Sequence, residues 1–228
     1  NTASNNTAVG WLSLSANTTG TQNVALGVAV KANTTANNNI GIGYDALCVN
    51  QTGNANVAIG TDSLRNNTVA NNTAIGYTSL AANTTGTENV AVGALALDAN
   101  TTGSWNTAVG YIALSATTTA DNNTAIGREA LRDTTTGASN TAVGKEALKV
   151  NTTGNCNTAV GHVAGLALTT GIANTMIGAR AGCTTTTGDR NVFIGEATGS
   201  HGTGLTTGDV NTYIGYAIQP SSASVCCE

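Results

Sequence analysis

Asn6-Thr7-Ala8-Val9-Gly10 is the stretch on which the fold turns, because the chain returns to its pattern twelve more times. The pattern recurs as Asn23-Val-Ala-Leu-Gly27, Asn39-Ile-Gly-Ile-Gly43, Asn56-Val-Ala-Ile-Gly60, Asn72-Thr-Ala-Ile-Gly76 and Asn89-Val-Ala-Val-Gly93. It continues from Asn106, Asn123, Asn140, Asn157, Asn174 and Asn191 to Asn211-Thr-Tyr-Ile-Gly215. Successive closing glycines stand 17 residues apart in nine of the twelve intervals, 16 apart in two and 20 apart in the last. A fixed period of this length marks a protein built by stacking one supersecondary unit on the next. Residues 1–219 therefore read as a single repeat domain, and residues 220–228, which break the pattern, as an irregular C-terminal tail.

Composition agrees with stacking and disfavours an ordinary globular core. Only 9% of the 228 residues are charged and 4% aromatic, while glycine occurs 28 times; an average domain is roughly a quarter charged. Disorder is a poor alternative, because disordered chains combine low hydrophobicity with high net charge, and here 40% of residues are apolar against a net charge of −4. A chain with few large side chains buries surface by bringing backbones close together, which a solenoid does. The eight Lys and Arg form no basic run, so a nucleic-acid partner is not expected. No stretch approaches the eighteen or so apolar residues of a membrane span, so insertion into a membrane is not expected either.

Each repeat has a second half, as in Gly76-Tyr77-Thr78-Ser79-Leu80 followed by Ala82-Asn83-Thr84-Thr85-Gly86. A Leu falls four residues after the closing glycine at Leu14, Leu47, Leu64, Leu80, Leu97, Leu114, Leu131 and Leu148. The unit reads as strand, bend, short strand, turn, and recurrent Gly, Asn and Thr at fixed places leave no apolar stripe of helical period. The expected fold is an all-β parallel β-solenoid of about thirteen coils of 16–17 residues. At the usual strand spacing such a stack would be roughly 60 Å long.

Alternation within the pentapeptide has a consequence for assembly. Thr7 and Val9, Val57 and Ile59, or Val90 and Val92 share one strand face, while Ala and Gly take the other. Neither face carries charge, as in strands buried on both sides. One face can line the solenoid and the other needs a cover, which further copies of the chain would supply, most simply as a homotrimer. A thin monomeric solenoid with two sheets inside one coil is the alternative.

The opening asparagines Asn6, Asn23, Asn39, Asn56, Asn72, Asn89, Asn106, Asn123, Asn140, Asn157, Asn174, Asn191 and Asn211 are expected to form a structural ladder, bonded to one another and to turn backbone. Glycines after the strand and in the Thr-Thr-Gly turn are expected to meet a positive φ or a close backbone approach.

Catalytic residues are not evident, and nothing calls for a cofactor or a metal. His162 and His201 are the sole histidines and lie two coils apart; His162 falls in the variable row just after the closing glycine. Glu129 and Glu146 beside Arg128 and Lys145 read as a solvated patch of cross-coil pairs. Cys48 and Cys183 occupy equivalent places in distant repeats and Cys156 stands alone, so no intrachain disulfide framework is expected. Adjacent Cys226 and Cys227 lack zinc-site spacing and are candidates for interchain disulfides. The best binding candidates are the aromatic residues that follow the closing glycine, Trp11, Tyr44, Tyr77 and Tyr111, with Tyr216 in the same row.

The Asn-x-Ala-hydrophobic-Gly pentapeptide with a small-residue second half resembles the head repeat of YadA-like trimeric autotransporter adhesins. The phrase running from Asn106 to Thr119 is similar to repeats of phage tail fibres that stand upstream of endosialidase-type intramolecular chaperones. The resemblance covers nearly the whole chain, although the unit is longer than the YadA-like one. It implies a left-handed β-roll, association of three chains, and an extracellular place on a virion or a bacterial surface. The function expected is a structural and adhesive fibre segment that gives stiffness and multivalent contact to a cell-surface glycan or protein receptor. Two other functions fit the pattern: a subunit of a self-assembling filament that grows end to end, and an ice-binding solenoid suggested by pairs such as Thr18-Thr19 and Thr84-Thr85.

Overall fold

The computed structural model describes residues 3–200 and 206–218, and the chain divides into two compact units, Asn1–Val109 and Gly110–Glu228. Each unit is an all-β, parallel β-solenoid. The first holds β1 (Thr7–Val9), β2 (Val24–Leu26), β3 (Ile40–Ile42), β4 (Val57–Ile59), β5 (Thr73–Ile75), β6 (Val90–Val92) and β7 (Thr107–Val109). The second holds β8 (Thr124–Ile126), β9 (Thr141–Val143), β10 (Thr158–Val160), β11 (Thr175–Ile177), β12 (Val192–Ile194) and β13 (Thr212–Ile214). Within each unit, consecutive strands pair in parallel with equivalent residues in register, such as Ala74 with Ala91 and Thr141 with Thr158. No described residue is helical.

A coil carries one strand, not two. The expected short second strand is replaced by a run of turns around the Leu row, and the alternative of two sheets inside one coil falls with it. The reason lies in the backbone: Thr78 (φ 50), Leu80 (φ 51) and Glu88 (φ 59) all take the left-handed conformation, and so do their counterparts in other coils. Each such residue costs an L-amino acid about 1–2 kcal/mol. Bonds to neighbouring coils offset that cost, as where Thr78 N–H donates to Thr61 O at 2.9 Å and Leu80 N–H to Ala96 O at 3.0 Å. Left-handed residues turn the chain sharply and aim the Leu side chain inward, which an extended segment in that place would not do.

Two glycine rows make the stacking tight, each for its own reason. Gly76 has φ +137, and a Cβ there would lie 2.6 Å from the Gly93 carbonyl. Gly86, in the Thr-Thr-Gly turn, has no positive φ, but a Cβ would fall 2.1 Å from Gly103 O. The first row needs both conformational freedom and space, the second needs space alone.

Inside each coil the central strand residue and the Leu form the core. Ala58, Ala74, Ala91, Ala125, Ala142 and Ala159 are fully buried, as are Leu64, Leu80, Leu97, Leu131 and Leu148. Late in the second unit this pairing is inverted. Met176 and Phe193 take the central strand position, and Gly165, Gly182 and Gly199 replace the Leu. A Cβ at Gly165 would lie 2.6 Å from Met176 Sδ, and one at Gly199 2.5 Å from Phe193 Cε1. The large residue thus occupies the space that a Leu fills elsewhere, and core volume is kept while identity is exchanged. Phe193 also stacks on Tyr213, with ring centroids 5.8 Å apart.

Candidate functional site

The asparagines that open the strands sit inside the coil, where water is excluded and every polar group needs a partner. The backbone N–H of each donates to the Oδ1 of the Asn one coil earlier, from Asn23 to Asn6 at 2.8 Å through Asn106 to Asn89 at 3.0 Å in the first unit. The second unit repeats this from Asn140 to Asn123 at 3.0 Å through Asn211 to Asn191 at 3.0 Å. The Nδ2 group reaches the turn of its own coil, as from Asn39 to Gly53 O at 2.9 Å and from Asn140 to Gly154 O at 2.8 Å.

A second row of buried asparagines, absent from the expectations above, runs beside the first and shares its turn carbonyls, as where Asn72 and Asn83 both donate to Gly86 O at 2.9 Å. Asn33, Asn83 and Asn100 donate through Nδ2 to Asn17, Asn67 and Asn83 Oδ1 at 2.7–3.0 Å. These residues open the turns, with the sequence Asn-Thr-Thr-Gly at Asn17, Asn83 and Asn100, Asn-Thr-Thr-Ala at Asn33 and Asn-Thr-Val-Ala at Asn67. Their inward role could have been found from their constant distance to the Leu row, but the adjoining threonines disguise them as surface turn residues. The first Thr of the pair uses its hydroxyl along the stack, as where Thr84 donates to Thr101 O at 3.0 Å and Thr152 to Thr169 O at 3.1 Å.

The central strand residue points inward, so its two neighbours form the outer face. In the first unit this face carries Ile42, Ile59, Ile75 and Val92, and in the second Ile126, Val143, Val160 and Ile177. These residues are half-buried to exposed, with Ile75 at 38% and Ile126 and Ile177 at 40%. The register places Thr124, Thr141, Thr158 and Thr175 beside them in one straight row. Each unit therefore presents an uncharged, largely apolar strip.

Charge gathers on another side of the coils, at the second and fifth residues after the closing glycine. Glu129 is not a solvated patch residue: its side chain is 8% exposed and meets Arg128 at 2.5 Å, Lys149 at 2.6 Å and Arg132 at 3.1 Å. The Lys149 ammonium, followed by the Arg128 guanidinium, holds its carboxyl down to about 2 against the opposing effect of burial. Lys145 similarly lowers Glu146. Within-coil pairs of the same spacing occur at Asp62 and Arg65, 3.7 Å apart, and at Glu146 and Lys149, also 3.7 Å apart.

Trp11, Tyr44, Tyr77, Tyr111 and Tyr216 are all exposed, Trp11 most among the first four at 74% and Tyr111 least at 49%. Tyr77 lines a cavity of about 320 Å³ together with Arg65, Thr78 and Asp98. Trp105, which was not among the candidates, is also exposed, and its indole Nε1 donates to Glu88 Oε2 at 3.0 Å. It stands just before a ladder Asn, a place where the left-handed backbone turns the side chain outward. His162 is exposed, and His201 lies outside the described residues. Cys48, Cys156 and Cys183 are free thiols, while Cys226 and Cys227 fall outside the described residues.

The fold and these surfaces define the class as a parallel β-solenoid repeat protein. No protein-family model matches this chain, and no curated protein or solved structure matches it either.

Proposed function

We propose that this chain is a non-catalytic segment of an extracellular fibre, on a virion or a bacterial surface, in which three copies associate and attach to a cell-surface glycan or protein receptor. The observation that supports this reading is the outer strand face. A strip of Ile and Val repeated in coil after coil, uncharged and half-exposed, is the kind of surface that soluble proteins cover with a partner. Identical strips on identical chains are self-complementary in character, and a closed symmetric assembly is the simplest way to cover them. Three chains would present every exposed aromatic residue three times, so weak contacts gain avidity. Cys226 and Cys227 would clamp the assembly by interchain disulfides.

Native mass by multi-angle light scattering, with and without reductant, tests the reading. A mass of three chains is expected, and a mass of one chain overturns it. The straight row Thr124, Thr141, Thr158 and Thr175 beside Ile and Val favours one second reading, an ice-binding face on a monomer. Thermal hysteresis together with a one-chain mass would establish that reading in place of the first.

A further inference from the structure

The residue after the closing glycine forms a row along the first unit, and the row alternates between large and small side chains. Successive coils carry Trp11, Val28, Tyr44, Thr61, Tyr77 and Ala94. Bonds between coils hold the row in register. The N–H groups of Asp45, Asp62 and Thr78 donate to the carbonyls of Val28, Tyr44 and Thr61, each at 2.9 Å, and Leu95 N–H donates to Tyr77 O at 3.0 Å. Trp11, Tyr44, Thr61 and Tyr77 are exposed, while Val28 and Ala94 are half-buried. Each aromatic residue thus stands one coil from a short side chain and two coils from the next aromatic. The result is three ridges, with slots floored by Val28 and Thr61 between them.

Charge around the row excludes one class of partner. Both cations of the unit are paired, Lys31 with Asp45 at 2.6 Å and Arg65 with Asp62 at 3.7 Å. Its other acids are Glu88, which accepts from Trp105, and Asp98. Four acids against two cations disfavour nucleic acid and other polyanions. Spacing then selects among the remaining extended partners. Ridges two coils apart are separated by about 9.4–9.8 Å. A β-strand returns to the same face about every 6.6 Å, and an α-helix at i and i+7 about every 10.5 Å. A polyproline II helix returns every third residue, about every 9.3 Å, and only this period stays in step across all three ridges.

We infer that this row docks a proline-rich segment of a partner protein in the polyproline II conformation, one turn for every two coils. The two slots take the prolines of a Pro-x-x-Pro repeat, and the three ridges span two turns. Hydrogen-bond chemistry is complementary as well. A polyproline II segment makes no internal hydrogen bonds, and its prolines have carbonyls to offer but no N–H. The ridges supply donors, the indole N–H of Trp11 and the hydroxyls of Tyr44 and Tyr77. Aromatic-lined grooves recognise such segments because their conformation is already fixed before binding, so little entropy is lost. The inference names the chemistry of the protein receptor in the fibre reading and rests on that reading for its biological setting alone. Ring resonances report on the row within one chain, whereas native mass reports on assembly, so the two can fail separately.

NMR titration of the full chain with acetyl-decaproline amide tests the row. The Trp11 indole N–H and the ring resonances of Tyr44 and Tyr77 are expected to shift together and to saturate, while those of Trp105 and Tyr216 stay in place. A flexible Ser-Gly repeat peptide of the same length should move none of them. Tyr44→Ala removes the ridge that both slots share and should weaken binding about tenfold or more. Thr61→Tyr fills a slot at an exposed position and should weaken it similarly, whereas an unspecific aromatic patch would bind more tightly with the added ring. Tyr216→Ala should leave binding unchanged, because Ala179 and Glu196 precede Tyr216 in its row and build no ridge. Absence of shifts in the wild-type protein overturns the proposal, as do shifts confined to Trp105 or Tyr216, or tighter binding by Thr61→Tyr. Preferential shifts with cellohexaose would also overturn it, making the row a glycan platform instead.

Discussion

Asn157 reaches one atom of Asn140 twice: its backbone N–H donates to Asn140 Oδ1 at 2.9 Å and its Nδ2 donates to the same oxygen at 3.1 Å. Asn140 in turn donates to Gly154 O at 2.8 Å. Asn140→Ala therefore strands the Asn157 backbone N–H in a dry interior, while Asn157 Nδ2 keeps Gly171 O and Gly154 O keeps Asn151 Nδ2. A stranded group costs roughly 1–3 kcal/mol, so a loss of about that size is expected from urea denaturation. Asn140→Asp keeps the acceptor but loses the Nδ2 donor and points a second oxygen at Gly154 O. That variant should be less stable at neutral pH than at acid pH, where the carboxyl regains a proton to donate.

The exchange of core volume between Gly165 and Met176 predicts non-additive substitutions. Gly165→Leu drives a side chain into Met176 and should cost about 1–3 kcal/mol as overpacking. Met176→Ala leaves a cavity and should cost about 2–5 kcal/mol. The double variant restores the Ala and Leu combination of earlier coils, at a φ of +61 close to the +48 of Leu148. It should be more stable than the sum of the two single effects, as measured by a double-mutant cycle in denaturant.

Glu129 makes part of the stability of the second unit dependent on pH. Its folded carboxyl titrates near 2, below its ordinary 4.5. The folded state thus holds the ionised form more strongly than the unfolded chain does. Its contribution is fully present above pH 4.5 and is lost as pH falls through about 2. Wild type should exceed Glu129→Gln in unfolding free energy at neutral pH, with the gap closing across that window.

Asp98 has the opposite sign. Burial raises its folded carboxyl above its ordinary 3.8, so the ionised group opposes folding above its folded value, and the penalty disappears as pH falls below 3.8. Asp98→Asn should melt higher than wild type at neutral pH, and the two should converge in acid.

A charge placed on the outer strip should separate assembly from folding. Ile126→Glu and Ile177→Glu alter half-exposed side chains that face away from the coil interior. Light scattering should give one chain for the double variant, with far-ultraviolet circular dichroism unchanged. A mass of three chains in that variant would place the contact elsewhere.

Much of the fold was legible because stacking imposes its period on the sequence. The Asn ladder, the two glycine rows and the Leu row follow from one rule, that equivalent residues of successive coils meet. The short second strand was misread because Leu64, Leu80 and Leu97 are β-compatible residues flanked by small ones, and nothing local signals that a Leu takes a left-handed backbone. That conformation is imposed by the bonds of the neighbouring coils. Glu129 was misread for a related reason: its i,i+3 partner Arg132 and its neighbour Arg128 are close in sequence, but Lys149 reaches it from the next coil.

The amino-acid sequence by itself determined the parallel solenoid, its coil length and the rows that run along it, since periodicity is a one-dimensional property. Only the tertiary structure decided which strand face is inside, because alternation defines two faces without ranking them. Ala went inward because a coil with a single strand has room for a methyl group and a Leu, and no space for two rows of Ile or Val. That choice left the larger apolar residues outside. The hollow at Tyr77 was likewise decided in three dimensions, since its wall brings together Asp62 and Arg65, Thr78 and Ala81, and Leu95 and Asp98 from three successive coils.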